Sequence, residues 1–278
     1  METQAYIITC KTNMHAGAGS ASQGVIDNLI QRDHTENFPC IYASSLKGAF
    51  REYFEGYIEK QKESKEEKGE FQQKVNTIFG GTAQKGSYIF HDALLISIPV
   101  RSNKENFFHA TCPILIKRFI EMLNLFNFKN KQLKEFYDTL HIEKEDNPWI
   151  FGYSDTDNLQ IEFFSNFEKK ENFSIEDLFG KKFIVVSDND FKLLIEDYNL
   201  PIIARNQLEN GESKNLFYEQ IIPRESKFFC IVNRLNIESD FEDNLMEHVK
   251  NMPIQIGANA SIGYGYCHIS KYPSSKNE

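Results

Sequence analysis

The sequence predicts an α+β chain folded as one elaborated domain. Two local patterns carry that reading: β-branched and aromatic runs such as Tyr6–Cys10, and apolar residues at helical spacing such as Leu46, Phe50 and Tyr53. They follow one another in mixed order, which excludes a strictly alternating βαβ chain. The length of 278 residues allows one large domain or two small ones. No internal repeat or low-complexity linker divides the chain, so residues 1–278 are treated as one unit.

The elements are expected in the following order. Tyr6–Cys10 is a short strand, and His15–Gly24 (HAGAGSASQG) is a loop of small residues that lets backbone approach a ligand or adopt φ > 0. A helix follows, with Leu46, Phe50, Tyr53, Tyr57 and Ile58 at helical spacing and Ser44 or Ser45 available as N-cap. Glu59–Glu70 contains no apolar residue and reads as a solvated helix extension or a mobile insertion. Gly86–Val100 is long enough for one bent strand or two short ones. Helices are expected at Pro113–Phe126 and Leu133–Leu140, strands at Leu159–Phe164 and Phe183–Ser187, and a short helix near Phe191–Tyr198. Residues 202–233 hold two strand-forming stretches around the polar tip LENGESKN, the pattern of a long hairpin. A helix at Phe241–Met252 and two short strands around the turn in IQIGANASIGYGYCHIS complete the chain.

Composition excludes several classes. With 41% apolar and 26% charged residues the chain has enough core-forming material to fold, and its 24 phenylalanines supply much of it. No apolar run approaches the roughly 20 residues of a membrane helix, and METQAYIITCKTN lacks a basic n-region and a cleavable apolar stretch. A cytoplasmic protein that does not engage membranes is expected. Cys10, Cys40, Cys112, Cys230 and Cys267 are odd in number, scattered and never C-x-x-C, which indicates buried thiols rather than disulfides or a zinc knuckle. The formal charge of −9 opposes nucleic-acid binding by bulk electrostatics, although a basic groove can coexist with an acidic outer face.

Gly17, Gly19 and Gly24 do not form G-x-G-x-x-G, and Val25 and Ile26 stand where a P-loop needs Lys and Ser/Thr. Ser44–Lys47 matches S-x-x-K, but no K-T-G follows. Lys47 in the first turn of a helix is locally unfavourable unless an anion sits there, and RNA phosphate is a suitable anion; the plainer reading is a capped helix with a solvated lysine. Asp27 follows the glycine-rich loop that His15 opens, so two titratable groups lie close to permissive backbone. An acid in such a place is more often a cap or turn residue than a catalyst.

Taken in order, HAGAGSASQGVIDNLIQRD, IYASSLKGAFR, GSYIFHDALLISIPVRS, RNQLENGESKNLFYEQIIPRES and GANASIGYGY resemble one family over most of the chain. It is the RAMP superfamily, and within it the repeated backbone subunit of type III-B CRISPR complexes, the fourth subunit of the Cmr assembly. SSLKG after a Gly-rich loop is shared across RAMP proteins. H-A-G-x-G-S, I-P-V-R-S and F-Y-E-x-x-x-P-R-E-S point to the backbone subunit. One departure is Tyr42-Ala43, where the family more often has Pro-Gly.

The resemblance implies a ferredoxin-like, RRM-related core with a helical lid insertion within about 56–150 and a β-hairpin thumb at about 203–223. It further implies subunits that stack along guide CRISPR RNA with other copies of themselves and other Cmr subunits, and thumbs that displace a base pair of the guide–target duplex. Target RNA would be cut by Mg²⁺- or other divalent-metal-dependent transesterification. The family's catalytic aspartate falls on Asp27, which would anchor the metal or orient the 2′-hydroxyl, and its loop histidine on His15. The RNA-contacting set on this reading is Gly17, Gly19, Ser44, Ser45, Lys47, Arg51, Arg205, Lys214, Arg224, Asn259 and Ser261. The thumb is no simple basic patch, because Arg205, Lys214, Arg224 and Lys227 are matched by Glu209, Glu212, Glu219 and Glu225. Leu208, Leu216 and Phe217 are its candidate base wedges. A guide-RNA scaffold without catalysis is the alternative.

Overall fold

The computed structural model describes residues 2–21, 24–61, 64–82, 84–143, 146–171, 173, 175–210, 212–235 and 252–272. Among them an 11-stranded sheet forms the body. Strand β1 (Glu2–Cys10) pairs antiparallel with β13 (Lys227–Arg234) on one side and β15 (Tyr266–Lys271) on the other. Beyond β15 lies β14 (Ile254–Gln255). Beyond β13 the sheet continues through β6 (Ala93–Val100), β7 (Phe108–Thr111), β10 (Phe183–Val185), β8 (Trp149–Phe151) and β9 (Glu168–Lys169). Two short strands attach off this path, β4 (Cys40–Ile41) on β6 and β5 (Tyr88–Phe90) on β13. A central strand of the sheet thus lies inside the interval 56–150, with helices on either side of it in sequence.

Alternation along the central strands explains why they are buried throughout. Tyr6, Ile8 and Cys10 join one core cluster with Leu46, Phe50 and Phe54 of helix α1 (Ala43–Gln61) and Val75 and Ile78 of α2 (Lys65–Phe79). Ala5 and Ile7 join a second cluster with Ile116 and Phe119 of α3 (Pro113–Leu125) and Leu133 and Phe136 of α4 (Lys131–Thr139). Strand β13 divides the same way, with Phe228 and Cys230 in the first cluster and Phe229 and Ile231 in the second. Each large side chain buried in this manner contributes roughly 1.5–3 kcal/mol. Much of the phenylalanine is spent here: Phe151 and Phe183 stack at 4.5 Å, and Phe136 meets both edge-on.

A smaller sheet carries the order β11 (Ile202–Glu209), β12 (Glu212–Gln220), β3 (Asn28–Ile30), β2 (Gly17–Ala21). Strands β11 and β12 form the hairpin expected from the sequence. Residues 212–216 are exposed, whereas Glu219 and Gln220 at its foot are buried, so the hairpin stands off the body and is anchored at one end.

Several expectations are corrected. The stretch of small residues is not all loop: Gly17–Ala21 pairs antiparallel with β3, its glycine-rich backbone accommodating a register shift. Helix α1 starts at Ala43, so Ser44 and Ser45 lie inside its first turn, and the Asp92 carboxylate, 49 positions away, accepts the Ala43 N–H at 2.7 Å. Its buried stripe runs Leu46, Phe50, Phe54 with Tyr53 half-buried, while the side chains of Tyr57 and Ile58 lie outside the described residues. Leu159–Phe164 is a turn rather than a strand, because Glu162 sits at φ 48° with its carboxylate held by the Arg101 backbone N–H and guanidinium. The helix expected at Phe191–Tyr198 is α6 (Asp188–Leu194), which follows the short α5 (Glu176–Phe179) and is started earlier by the Ser187 hydroxyl accepting from the Asp190 N–H. Within Glu59–Glu70, α1 reaches Gln61 and α2 begins at Lys65 under a Ser64–Glu67 capping box. Of the helix expected at Phe241–Met252, residues 241–251 lie outside the described residues.

One buried group gives the fold a pH dependence. His109 on β7 is 7% exposed, its Nδ1 lies 3.4 Å from the Ser97 hydroxyl, and desolvation pushes its pKa down to about 3. The unfolded chain therefore binds a proton between about pH 6.5 and 3 that the folded chain refuses. Stability is full above that window and falls as pH drops through it. Urea unfolding of a His109→Gln variant is expected to lose about 2 kcal/mol less than the wild type between pH 7 and pH 5. An identical loss in both proteins refutes this account.

Candidate nucleic-acid interface

Asp27 occupies the bend that enters β3. Ile26 anchors it from below at 3% exposure, while the Asp27 side chain itself is exposed. Asp27 Oδ2 accepts the Tyr218 N–H at 2.7 Å. Next to this contact, β3 runs parallel to β12 with Asn28 opposite Glu219. A carboxylate from the glycine-rich region is thereby tied to the foot of the hairpin, 191 positions later in the chain.

Glu219 organises the ground beneath it. Its side chain is 7% exposed and accepts from Arg205 Nη1 at 2.7 Å, Asn259 Nδ2 at 3.0 Å and Asn28 Nδ2 at 3.4 Å. Arg205 also donates to Asn259 Oδ1 and lies over the Phe217 ring, 5.6 Å from its centroid. Arg205 and Asn259, 54 positions apart, thus meet at Glu219, opposite Asn28, the residue that follows Asp27. Glu219→Gln keeps the shape but removes the charge that neutralises Arg205. Urea unfolding is expected to register a loss of about 1–3 kcal/mol; a change under about 0.5 kcal/mol, the size of an ordinary surface substitution, contradicts it.

His15 is buried, at 4% exposure. Its Nδ1 lies 2.7 Å from the Gln220 carbonyl, which can only accept, so Nδ1 carries the proton. Its Nε2 faces Gly17, where an added Cβ would sit 3.0 Å away. Its backbone carbonyl accepts the Ala258 N–H at 2.9 Å, drawing the closing GANASIGYGY turn against the loop. Two buried amides complete the scaffold. Gln31 donates to the Gly17 carbonyl and Ser45 hydroxyl and accepts from Tyr42 N–H, and Gln220 accepts from Ile30 N–H and donates to Asp197. Sequence reasoning missed Asn28, Gln31 and Gln220 and counted Glu219 only as charge. The one available signal was Glu219-Gln220 standing polar between Phe217-Tyr218 and Ile221-Ile222.

The remaining candidates divide. Ser44 and Lys47 line a concave surface of about 710 Å³ at the start of α1, together with Lys85 and the Gly80-Gly81 backbone. Arg51 lies there too, but its guanidinium is committed to Glu55, the Gly80 carbonyl and Asn76. Gly19 (φ 78°) and Ser261 are exposed, as is Lys214 on the hairpin. Arg224 is exposed beyond the hairpin foot, and the side chain of Leu208 lies outside the described residues. Among the described residues no group of three or more His, Cys, Asp or Glu side chains is placed to hold a metal ion.

A sequence model of the RAMP superfamily matches residues 7–268. The chain belongs to that superfamily. This RAMP chain is 29% identical to the CRISPR system Cmr endoribonuclease Cmr4 of Pyrococcus furiosus, over 93% of its own length and 92% of the relative's. Two solved structures share its fold. One is a chain of the type III-B Cmr-beta complex bound to cognate target RNA, at TM-score 0.75 and 20% identity, covering 98% of this chain and 97% of that one. The other is oligomeric Cmr4 from Pyrococcus furiosus, at TM-score 0.67 and 24% identity, covering 98% of each. No helix among the described residues of this RAMP protein is long and apolar enough to cross a membrane.

Proposed function

We propose that this chain is a backbone subunit of a type III-B CRISPR complex that binds guide RNA and cleaves complementary target RNA beside Asp27. The observation that carries the reading is an exposed carboxylate held by a backbone N–H at the foot of a projecting hairpin, in a chain of the RAMP superfamily. The relative's name as an endoribonuclease supports the activity, and the oligomeric and RNA-bound neighbours support partners of the same kind: target RNA, further copies and other Cmr subunits. On this reading the core is ferredoxin-like, helices inserted around β6 form a lid, and the β11–β12 hairpin is the thumb. The protein works in the cytoplasm.

The reaction is a transesterification. The ribose 2′-oxygen loses its proton and bonds to the adjacent phosphorus, the bond to the 5′-oxygen of the next nucleotide breaks, and that oxygen leaves as a 5′-hydroxyl. A 2′,3′-cyclic phosphate remains. Since the nucleophile belongs to the RNA, the protein's task is to align the three reacting atoms, which A-form stacking prevents. The hairpin, with Leu216 exposed on it, disrupts that stacking. Asp27 receives the 2′-hydroxyl, its Oδ2 fixed by Tyr218. His15 keeps the glycine loop and the hairpin foot together through Gln220 rather than touching the RNA. Lys47 and Lys85, beside the first turn of α1, meet guide phosphates.

The residues fit Mg²⁺ only as a hydrated ion. Among the described residues one exposed carboxylate stands without a three-ligand cluster to cage a cation, but Mg²⁺ commonly keeps several waters and binds one or two carboxylates plus substrate phosphates. Asp27 would hold it, and the ion would neutralise charge on the phosphoryl oxygens.

Reconstitution with guide RNA and companion subunits tests the proposal. Target fragments are expected at regular spacing, set by the stacked copies rather than by target sequence. Bound but intact target would instead identify a guide-RNA scaffold.

A further inference from the structure

The two sequence motifs that the Asp27 site leaves unexplained meet elsewhere. The I-P-V-R segment, Ile98–Arg101, and Pro223–Glu225 of the P-R-E-S segment line one cleft of about 860 Å³, although more than 120 positions separate them. The cleft also takes in Pro201 and Ile202, so it opens where both hairpin strands leave the body. Its volume is in the range of ligand-binding clefts, about 300–1,000 Å³.

The lining has a consistent chemistry. Tyr198 is 69% and Phe163 54% exposed on the cleft wall, Phe163 resting against the Phe164 ring at a centroid distance of 4.4 Å and turning its other side outward. Phe163 is carried on the Glu162 turn, which Arg101 clamps through its guanidinium and backbone N–H, so the ring is presented on a braced loop. Arg224 is exposed at the same rim, and its backbone N–H donates to the Asn13 side chain at 3.1 Å. Exposed flat rings beside an arginine, with the amides of Asn106, Gln160 and Asn199 around them, match an unstacked nucleotide: the rings take the base face, the amides its edge and the arginine its phosphate. Within this lining Glu162 pairs with Arg101, and Glu225 pairs with Lys11 outside it, which leaves Arg224 to meet an anion and suits one nucleotide better than a long phosphate run.

We propose that this cleft binds a nucleotide of single-stranded RNA, with its base stacked on Tyr198 or Phe163 and its phosphate met by Arg224. The inference rests on the RNA-binding function above and adds a further contact surface to those at Asp27 and at the start of α1, on the side of the hairpin where β11 leaves the body.

The test uses the full chain assembled with guide RNA and companion subunits, and RNA carrying 4-thiouridine. Irradiation followed by mass spectrometry is expected to place crosslinks on Tyr198, Phe163 or their immediate neighbours. Because both rings are exposed, the Tyr198→Ala/Phe163→Ala double variant is expected to fold normally and to bind RNA between about fivefold and a hundredfold more weakly. RNA bound by the wild-type complex with no crosslink in the cleft and no effect of the double variant overturns this proposal alone. Protein–protein crosslinks to a neighbouring subunit at these positions overturn it too, by giving the cleft another occupant. Absence of RNA binding by the wild-type complex overturns both this inference and the function beneath it.

Discussion

Asp27→Asn is expected to slow target-RNA cleavage by at least about a hundredfold while guide-RNA binding stays unchanged, the lower bound set by the rate that misalignment of a reacting group costs. Asparagine keeps an oxygen able to accept the Tyr218 N–H, so the bend entering β3 keeps its shape and only the charge is lost. Asp27→Ala removes the acceptor as well. It is expected to abolish cleavage equally and to cost about 0.5–1.5 kcal/mol of stability that the asparagine variant retains. RNA affinity is expected to hold or rise slightly in both, because a negative charge near phosphate has been removed. Single-turnover cleavage of a labelled target, with filter binding on the same preparations, separates the outcomes. Wild-type cleavage by Asp27→Asn would show that the carboxylate is structural, and joint loss of binding and cleavage would count against a catalytic role.

Gly265→Ala is expected to destabilise the protein severely, by more than about 3 kcal/mol, and to remove RNA binding with it. Gly265 has φ 80°, a conformation that costs an L-residue about 1–3 kcal/mol, and an added Cβ would lie 2.0 Å from the Ile256 carbonyl oxygen. Relieving that contact means moving backbone, because Ile256 N–H donates to the Gly265 carbonyl and Gly265 N–H to the Asn13 carbonyl. The turn that carries Asn259 to Glu219 moves with it. Gly263 provides the control: its φ is 82°, but nothing lies within 4 Å of its added Cβ, so Gly263→Ala is expected to cost only the conformational part. Thermal unfolding of the two variants isolates the clash as their difference, and equal losses would disprove it.

Where these two residues matter differs in how visible it was from sequence. Gly265 sits in a Gly- and Asn-rich turn that local chemistry marks as special. Its closest obligation, to Ile256, lies only nine positions away, within reach of local reasoning. Asp27 reads locally as a turn residue, and the resemblance to RAMP proteins was needed to raise it above that. The hairpin was legible because alternation and a polar tip are local, whereas the cap of α1 was misplaced because Asp92 comes from another element. The turn at Leu159–Phe164 was misread for the same reason, since Arg101 holds it from afar.

The amino-acid sequence by itself determined the α+β class, the hairpin and several further strands and helices, and membership of the RAMP superfamily. Those properties follow from periodicity, turn chemistry and ordered motifs, all of which are read within a few neighbouring residues or by likeness. Only the tertiary structure decided that Glu219 joins Arg205, Asn259 and Asn28, that His15 is buried as a brace, and that two distant motifs share one cleft. Each of those is a contact between residues far apart in the chain. Their energies depend on burial and hydrogen-bond geometry, which come into being only when the sheets have assembled.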